Sequence, residues 1–94
     1  MESRNGVPIR FPDERWRHIV QNHPELAFLR DEVADAVRNP DIILQGGRSE
    51  LIAAVKRGPK WLAVVYKEES AADGFIITAY LSRRIDETRA IWRR

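Results

Sequence analysis

Cysteine is missing from the 94-residue chain. That excludes disulfide bridges, thiol nucleophiles and thiolate metal sites. Histidine is scarce: His18 and His23 are the only two, too few for a typical zinc site unless carboxylates complete it. No apolar run approaches the ~20 residues needed to span a membrane. The segment Met1-Glu2-Ser3-Arg4-Asn5-Gly6 lacks the basic-then-apolar order of a signal peptide. A cytoplasmic protein without a membrane partner is therefore expected. No internal repeat, linker or low-complexity tract is visible.

What is present is an ordinary globular balance, 44% hydrophobic and 32% charged, which argues against disorder. The length fits a single domain over residues 1–94. A domain of this size buries somewhat over ~60% of its unfolded surface, enough for one modest core. The net charge is only +2, but it is unevenly spread. Residues 1–55 carry seven basic and nine acidic side chains, and residues 56–94 carry nine basic and five acidic. A basic second half suits a polyanionic partner, although basic surfaces also serve solubility.

The apolar spacing divides the chain into helices followed by strands. Pro12-Asp13 marks a helix entry with Asp13 as N-cap, and the helix is expected over 14–22. Trp16, Ile19, Val20 and His23 share one face of it. Pro24 stops or bends it. A second helix is expected over 25–39, with Leu26, Leu29, Val33, Ala36 and Val37 as its stripe. From Asp41 the period changes to two. Strands are expected over 41–45, 50–57, 61–67 and 75–81, while 88–92 fits a fifth strand or a tail lying on the sheet. Short connections favour antiparallel pairing. The expected fold is α+β, two N-terminal helices packed on one face of a four- to five-stranded antiparallel sheet. Strict alternation puts Phe75, Ile77, Ala79 and Leu81 under the helices and Ile76, Thr78 and Tyr80 on the open face.

A few residues have the right chemistry for a site. Histidine is the side-chain type suited to proton transfer near neutral pH, which makes His18 and His23 candidates, although a helix-exit histidine such as His23 also satisfies terminal carbonyls. Thr78 and Tyr80, two apart on one strand, project side by side; they are also ordinary β-formers. As a site they present two hydroxyls to an anion and one ring for base stacking. Arg83 and Arg84 follow directly and suit a phosphate clamp, with Lys67 extending the positive surface. Gly46-Gly47 reads as a turn, since no Lys-Ser/Thr follows in P-loop spacing.

His18-Ile19, His23-Pro24-Glu25-Leu26, Asn39-Pro40-Asp41-Ile42-Ile43, Trp61 to Lys67 and Gly74 to Leu81, in that order, resemble one family. It is the group of small phage-associated proteins of the barnase/EndoU/colicin/RelE-like (BECR) nuclease superfamily. The resemblance covers about residues 14 to 92. It implies helices against a four-stranded antiparallel sheet and a metal-independent ribonuclease without cofactor, often a toxin countered by an antitoxin or immunity protein. His18, His23, Thr78 and Tyr80 are the positions that match its motifs; Arg83, Arg84 and Lys67 are added from charge. The expected function is RNA cleavage through the ribose 2′-OH. The alternatives are a non-catalytic RNA- or protein-binding module of the same fold, and a small-molecule enzyme or structural protein.

Overall fold

The computed structural model describes all of Met1–Arg94. The architecture is α+β: two helices and a six-stranded mixed sheet. No helix is long and apolar enough to cross a membrane.

The first helix, α1, spans Asp13–Asn22, so Asp13 lies inside the first turn and extended Pro12 holds the cap position. Asp13 and Glu14 there complement the helix dipole. Pro24 disfavours helical geometry at His23, which leaves the helix at φ −134°, ψ 72°. The expected helix over 25–39 is split in two. Pro24–Leu26 is a 3-10 turn, and the amides of Leu26, Ala27 and Leu29 each bond three residues back. The second helix, α2 (Arg30–Arg38), starts where Val33 bonds to Leu29, four residues back. The apolar stripe is common to both segments, so spacing alone does not reveal the break between them.

The strands are β1 (Ile9–Arg10), β2 (Ile42–Gln45), β3 (Leu51–Arg57), β4 (Lys60–Ser70), β5 (Asp73–Ser82) and β6 (Ala90–Arg93). Their order across the sheet is β1-β5-β4-β3-β2-β6. The sheet is not purely antiparallel, because β1 pairs in parallel with β5. Two residues carry no readable period, which is why β1 is invisible in the sequence. Gly74 permits this pairing: a Cβ there would collide with the Lys67 carbonyl and with Ile9 Cδ1. Gly58, at φ 59°, takes the first central position of the Gly58-Pro59 hairpin turn, which type II′ geometry reserves for glycine. The expected strand over 88–92 resolves into a 3-10 turn, Glu87–Arg89, followed by β6. β6 pairs with β2 at the far side of the sheet rather than with β5, so residues 83–89 must cross the sheet to reach it.

The helices cover one face. Ile19, Leu26, Val33, Ala36 and Val37 pack there against Ala53, Leu62, Val64, Tyr66, Ile76 and Ala79. The other face has a smaller cluster, Ile42, Leu44 and Ala54, covered in part by Ile85 of the crossing segment. One expectation about the faces fails. The β4–β5 register shifts between Val65–Thr78 and Tyr66–Ile76, leaving Ile77 as a bulged residue. The bulge resets the alternation. Ile76 joins the helix face with Ala79, and Phe75, opposite Lys67, moves to the other face.

Candidate functional site

Beyond Phe75, β5 has no strand neighbour on its outer side, because β1 pairs only with Gly74 and Phe75. α1 packs against β5 in that region, and Arg15 Nη1 donates to the carbonyl of the bulged Ile77 at 3.4 Å. Ile19 anchors the helix in the core. The helix exit at His23 follows from this placement and from Pro24. The His23 amide donates to the Ile19 carbonyl at 2.8 Å, and its own carbonyl accepts from Leu26 at 3.0 Å. Backbone bonds on both sides thus fix the residue.

The His23 ring lies beside Tyr80, with centroids 6.4 Å apart and planes tilted by 40°. Its Nδ1 is 3.5 Å from Glu25 Oε2, and the imidazole is one-third exposed (33%). Nε2 meets no partner within the chain. Thr78 and Tyr80 oppose Val65 and Ala63 in unbroken register, so they share one face. Both are half-buried, and neither hydroxyl bonds to another group of the protein. One imidazole nitrogen and two hydroxyls therefore remain free around one stretch of β5.

Arg83 and Arg84 leave the end of β5 exposed to solvent. Ser82 Oγ donates to the Arg84 carbonyl at 2.6 Å and accepts from the Arg84 amide at 3.3 Å, which shapes this turn. Neither guanidinium has an ion-pair partner. Ile85 then docks beside Trp61 and Ile52, holding the crossing segment on the sheet. At the next turn Asp86 Oδ1 accepts from the Thr88 amide at 3.1 Å. Hydrogen bonds from the Thr88 side chain and amide hold the Asp86 carboxyl below the usual range.

The remaining expected residues stand elsewhere. Lys67 opposes Phe75, whereas Ser82 opposes Trp61. Six residues of β4 separate Lys67 from Trp61, about 20 Å at ~3.3 Å per residue. Lys67 and the Arg83-Arg84 pair are thus at opposite ends of the ladder and cannot hold one phosphate together. Lys67 Nζ is instead 3.7 Å from Glu69. His18 lies on the outer side of α1, in a shallow groove bounded by Pro12, Glu14, Arg15, Arg17 and Gln21, with no sheet residue in it. Asn22 is 3.5 Å from its Nε2 and donates to its carbonyl at 3.2 Å. Five helical residues turn the chain by about 140° beyond a full revolution, so the two histidines diverge.

Sequence reasoning missed the contributions of Glu25, Arg15 and Ile85. The His23-Pro24-Glu25 order held a usable signal: a proline-started tight turn brings the carboxylate back toward the ring. Nothing local marks Arg15 or Ile85, whose partners are distant strands. No three His, Asp or Glu side chains converge in a way that could hold a metal ion. Set against known proteins, the chain matches no family model, no curated protein and no solved structure.

Proposed function

We propose that the protein is a ribonuclease that cleaves RNA through the ribose 2′-OH without a metal. The observation that carries this reading is the His23–Tyr80 pair, with Glu25 at the imidazole Nδ1 and no partner on Nε2. The resemblance of His18-Ile19, His23-Pro24-Glu25 and Thr78-Ala79-Tyr80 to motifs of the BECR nucleases adds to it. In the first step Nε2 removes the 2′-OH proton, and the 2′ oxygen attacks the adjacent phosphorus. The bond from phosphorus to the 5′ oxygen breaks. Tyr80 donates its proton to that oxygen, leaving a 2′,3′-cyclic phosphate and a 5′-OH. A phenol O–H is a proton donor and suits the acid role better than the base role. The Thr78 hydroxyl and the Arg83 guanidinium stabilise charge on the non-bridging oxygens. The need for a 2′-OH makes RNA, not DNA, the substrate. In a toxin setting, an antitoxin or immunity protein would cover this part of the sheet.

One observation favours a second reading, RNA binding without cleavage: His18 is turned away from the β5 site, so no two-histidine relay is assembled. Cleavage of a mixed tRNA and mRNA pool in excess EDTA separates the two. The ribonuclease reading expects 2′,3′-cyclic phosphate ends and a rate roughly 10²- to 10⁴-fold lower in His23→Ala. His18→Ala is expected to change the rate by less than about threefold, the scale of a surface substitution. Retained RNA binding with no cleavage by the wild type would establish the binding module instead.

A further inference from the structure

The bulge at Ile77 changes which side chains line β5. Without it, Phe75 would lie under the helices. With it, Phe75, Thr78 and Tyr80 oppose Lys67, Val65 and Ala63, alternate residues of β4, and so share one face. Phe75 is half-buried, and the Arg10 guanidinium stands over its ring at 5.6 Å. That guanidinium is held by two bonds to Asp73, at 2.9 and 3.2 Å. Arg10, Pro12, Arg15, Phe75 and Ile76 bound a cleft of about 260 Å³. A β-bulge beside a site commonly serves to re-aim a side chain.

We infer that β5 is a track for single-stranded RNA, on which Phe75 is a second base-stacking platform beyond Tyr80. This rests on the ribonuclease reading above. Four residues of β4 separate the partners of Phe75 and Tyr80, about 13 Å at ~3.3 Å per residue. Stacked bases are only ~3.4 Å apart along a strand. Bases seated on the two rings are therefore not stacked on each other, a state open to single strands and closed to a duplex. Arg83 and Arg84 meet the backbone at the Tyr80 end. At the Phe75 end Arg10 is matched by Asp73 and Lys67 by Glu69, while Arg15 has only the Ile77 carbonyl as a partner. The Phe75 ring itself contributes stacking rather than phosphate charge, and that share depends little on salt.

The test is fluorescence-anisotropy binding of uncleavable 2′-O-methyl RNA, three or six nucleotides long, with circular dichroism checking the fold of each variant. The hexamer binds the wild type more tightly than the trimer. Phe75→Ala loses roughly 5- to 150-fold in hexamer affinity, by a similar factor at low and high salt. Phe75→Tyr keeps the affinity, and Phe75→Leu, apolar but not aromatic, does not. Wild-type affinity in Phe75→Ala or Phe75→Leu overturns the track while leaving the RNA reading intact. A duplex hexamer that binds as tightly as the single strand overturns it equally. A wild type that binds no RNA of either length overturns the underlying reading with it, and points to a protein partner for this face.

Discussion

The two faces of the sheet divide the work of the molecule. On the helix side thirteen buried side chains form one cluster, including Leu62, Val64, Tyr66 and Ile76. On the other side only Ile42, Leu44 and Ala54 form a buried cluster, under the crossing segment. There β4 and β5 keep Trp61, Val65, Lys67, Phe75, Thr78 and Tyr80 partly exposed. The difference follows from a simple constraint. A side chain that stabilises the fold through burial is unavailable to a ligand, and one that can meet a ligand contributes little burial. Neighbouring residues of one strand serve both ends, because the pleat sends them to opposite faces.

The sharpest way to break this comparison is to truncate one residue on each face and follow denaturant unfolding. Ile76→Ala is expected to lower stability by about 2 to 5 kcal/mol, through lost burial and the cavity left behind. Thr78→Ala, two residues along, is expected to stay within about 0.5 kcal/mol. Equal losses would mean that the exposed face is structural after all.

A smaller effect tests the quality of the buried face. The Tyr66 hydroxyl is buried there without a hydrogen-bond partner. Such a group carries a desolvation penalty of about 1 to 3 kcal/mol. Tyr66→Phe is therefore expected to be as stable as the wild type or up to about 1 kcal/mol more stable. The same burial pushes the Tyr66 hydroxyl pKa up in the folded state. A raised pKa gives stability that is full below the unfolded value near ~10 and falls as pH rises above it. The wild type should thus lose stability in alkali more steeply than Tyr66→Phe. Parallel curves of stability against pH would refute the account.

The smallest effect concerns the crossing segment. The Asp86 carboxyl lies below its ordinary range because Thr88 donates to it. A lowered pKa gives support that is present above the unfolded value near ~3.9 and lost as pH falls through the lower folded value. The protection of the Thr88 amide against exchange with solvent deuterium, relative to its intrinsic rate at the same pH, should fall in Asp86→Ala at neutral pH and in the wild type as pH drops through the lowered folded value. The amides of β4 should not respond. An unchanged Thr88 rate in Asp86→Ala would show that the turn needs no cap.

The local features were legible because they repeat. The 3.6-residue stripe located α1, and the two-residue alternation located β2 to β5 with every end within three residues. The hydroxyls of Thr78 and Tyr80 were correctly placed on one face, since no irregularity intervenes between them. Phe75 and Ile76 were misassigned because one bulged residue, Ile77, reverses parity for everything before it. The site was legible as a set of residue types and less so as a set of neighbours. His23 and Tyr80 meet, whereas His18 and Lys67 do not join them, and whether they meet depends on packing between elements far apart in the chain.

The sequence by itself determined the composition class, the α+β order of elements, the hairpins and the chemistry on offer, because each depends on residues within a few positions of one another. The tertiary structure decided the rest: the parallel β1, the return of β6 to β2, the bulge that turns Phe75 outward, and the meeting of His23 with Tyr80. The first, second and last of these join segments 65, 51 and 57 residues apart (Ile9 to Gly74, Ile42 to Arg93, His23 to Tyr80). Contacts at that separation are selected by the free energy of the whole packed arrangement, to which no single stretch of sequence holds the key.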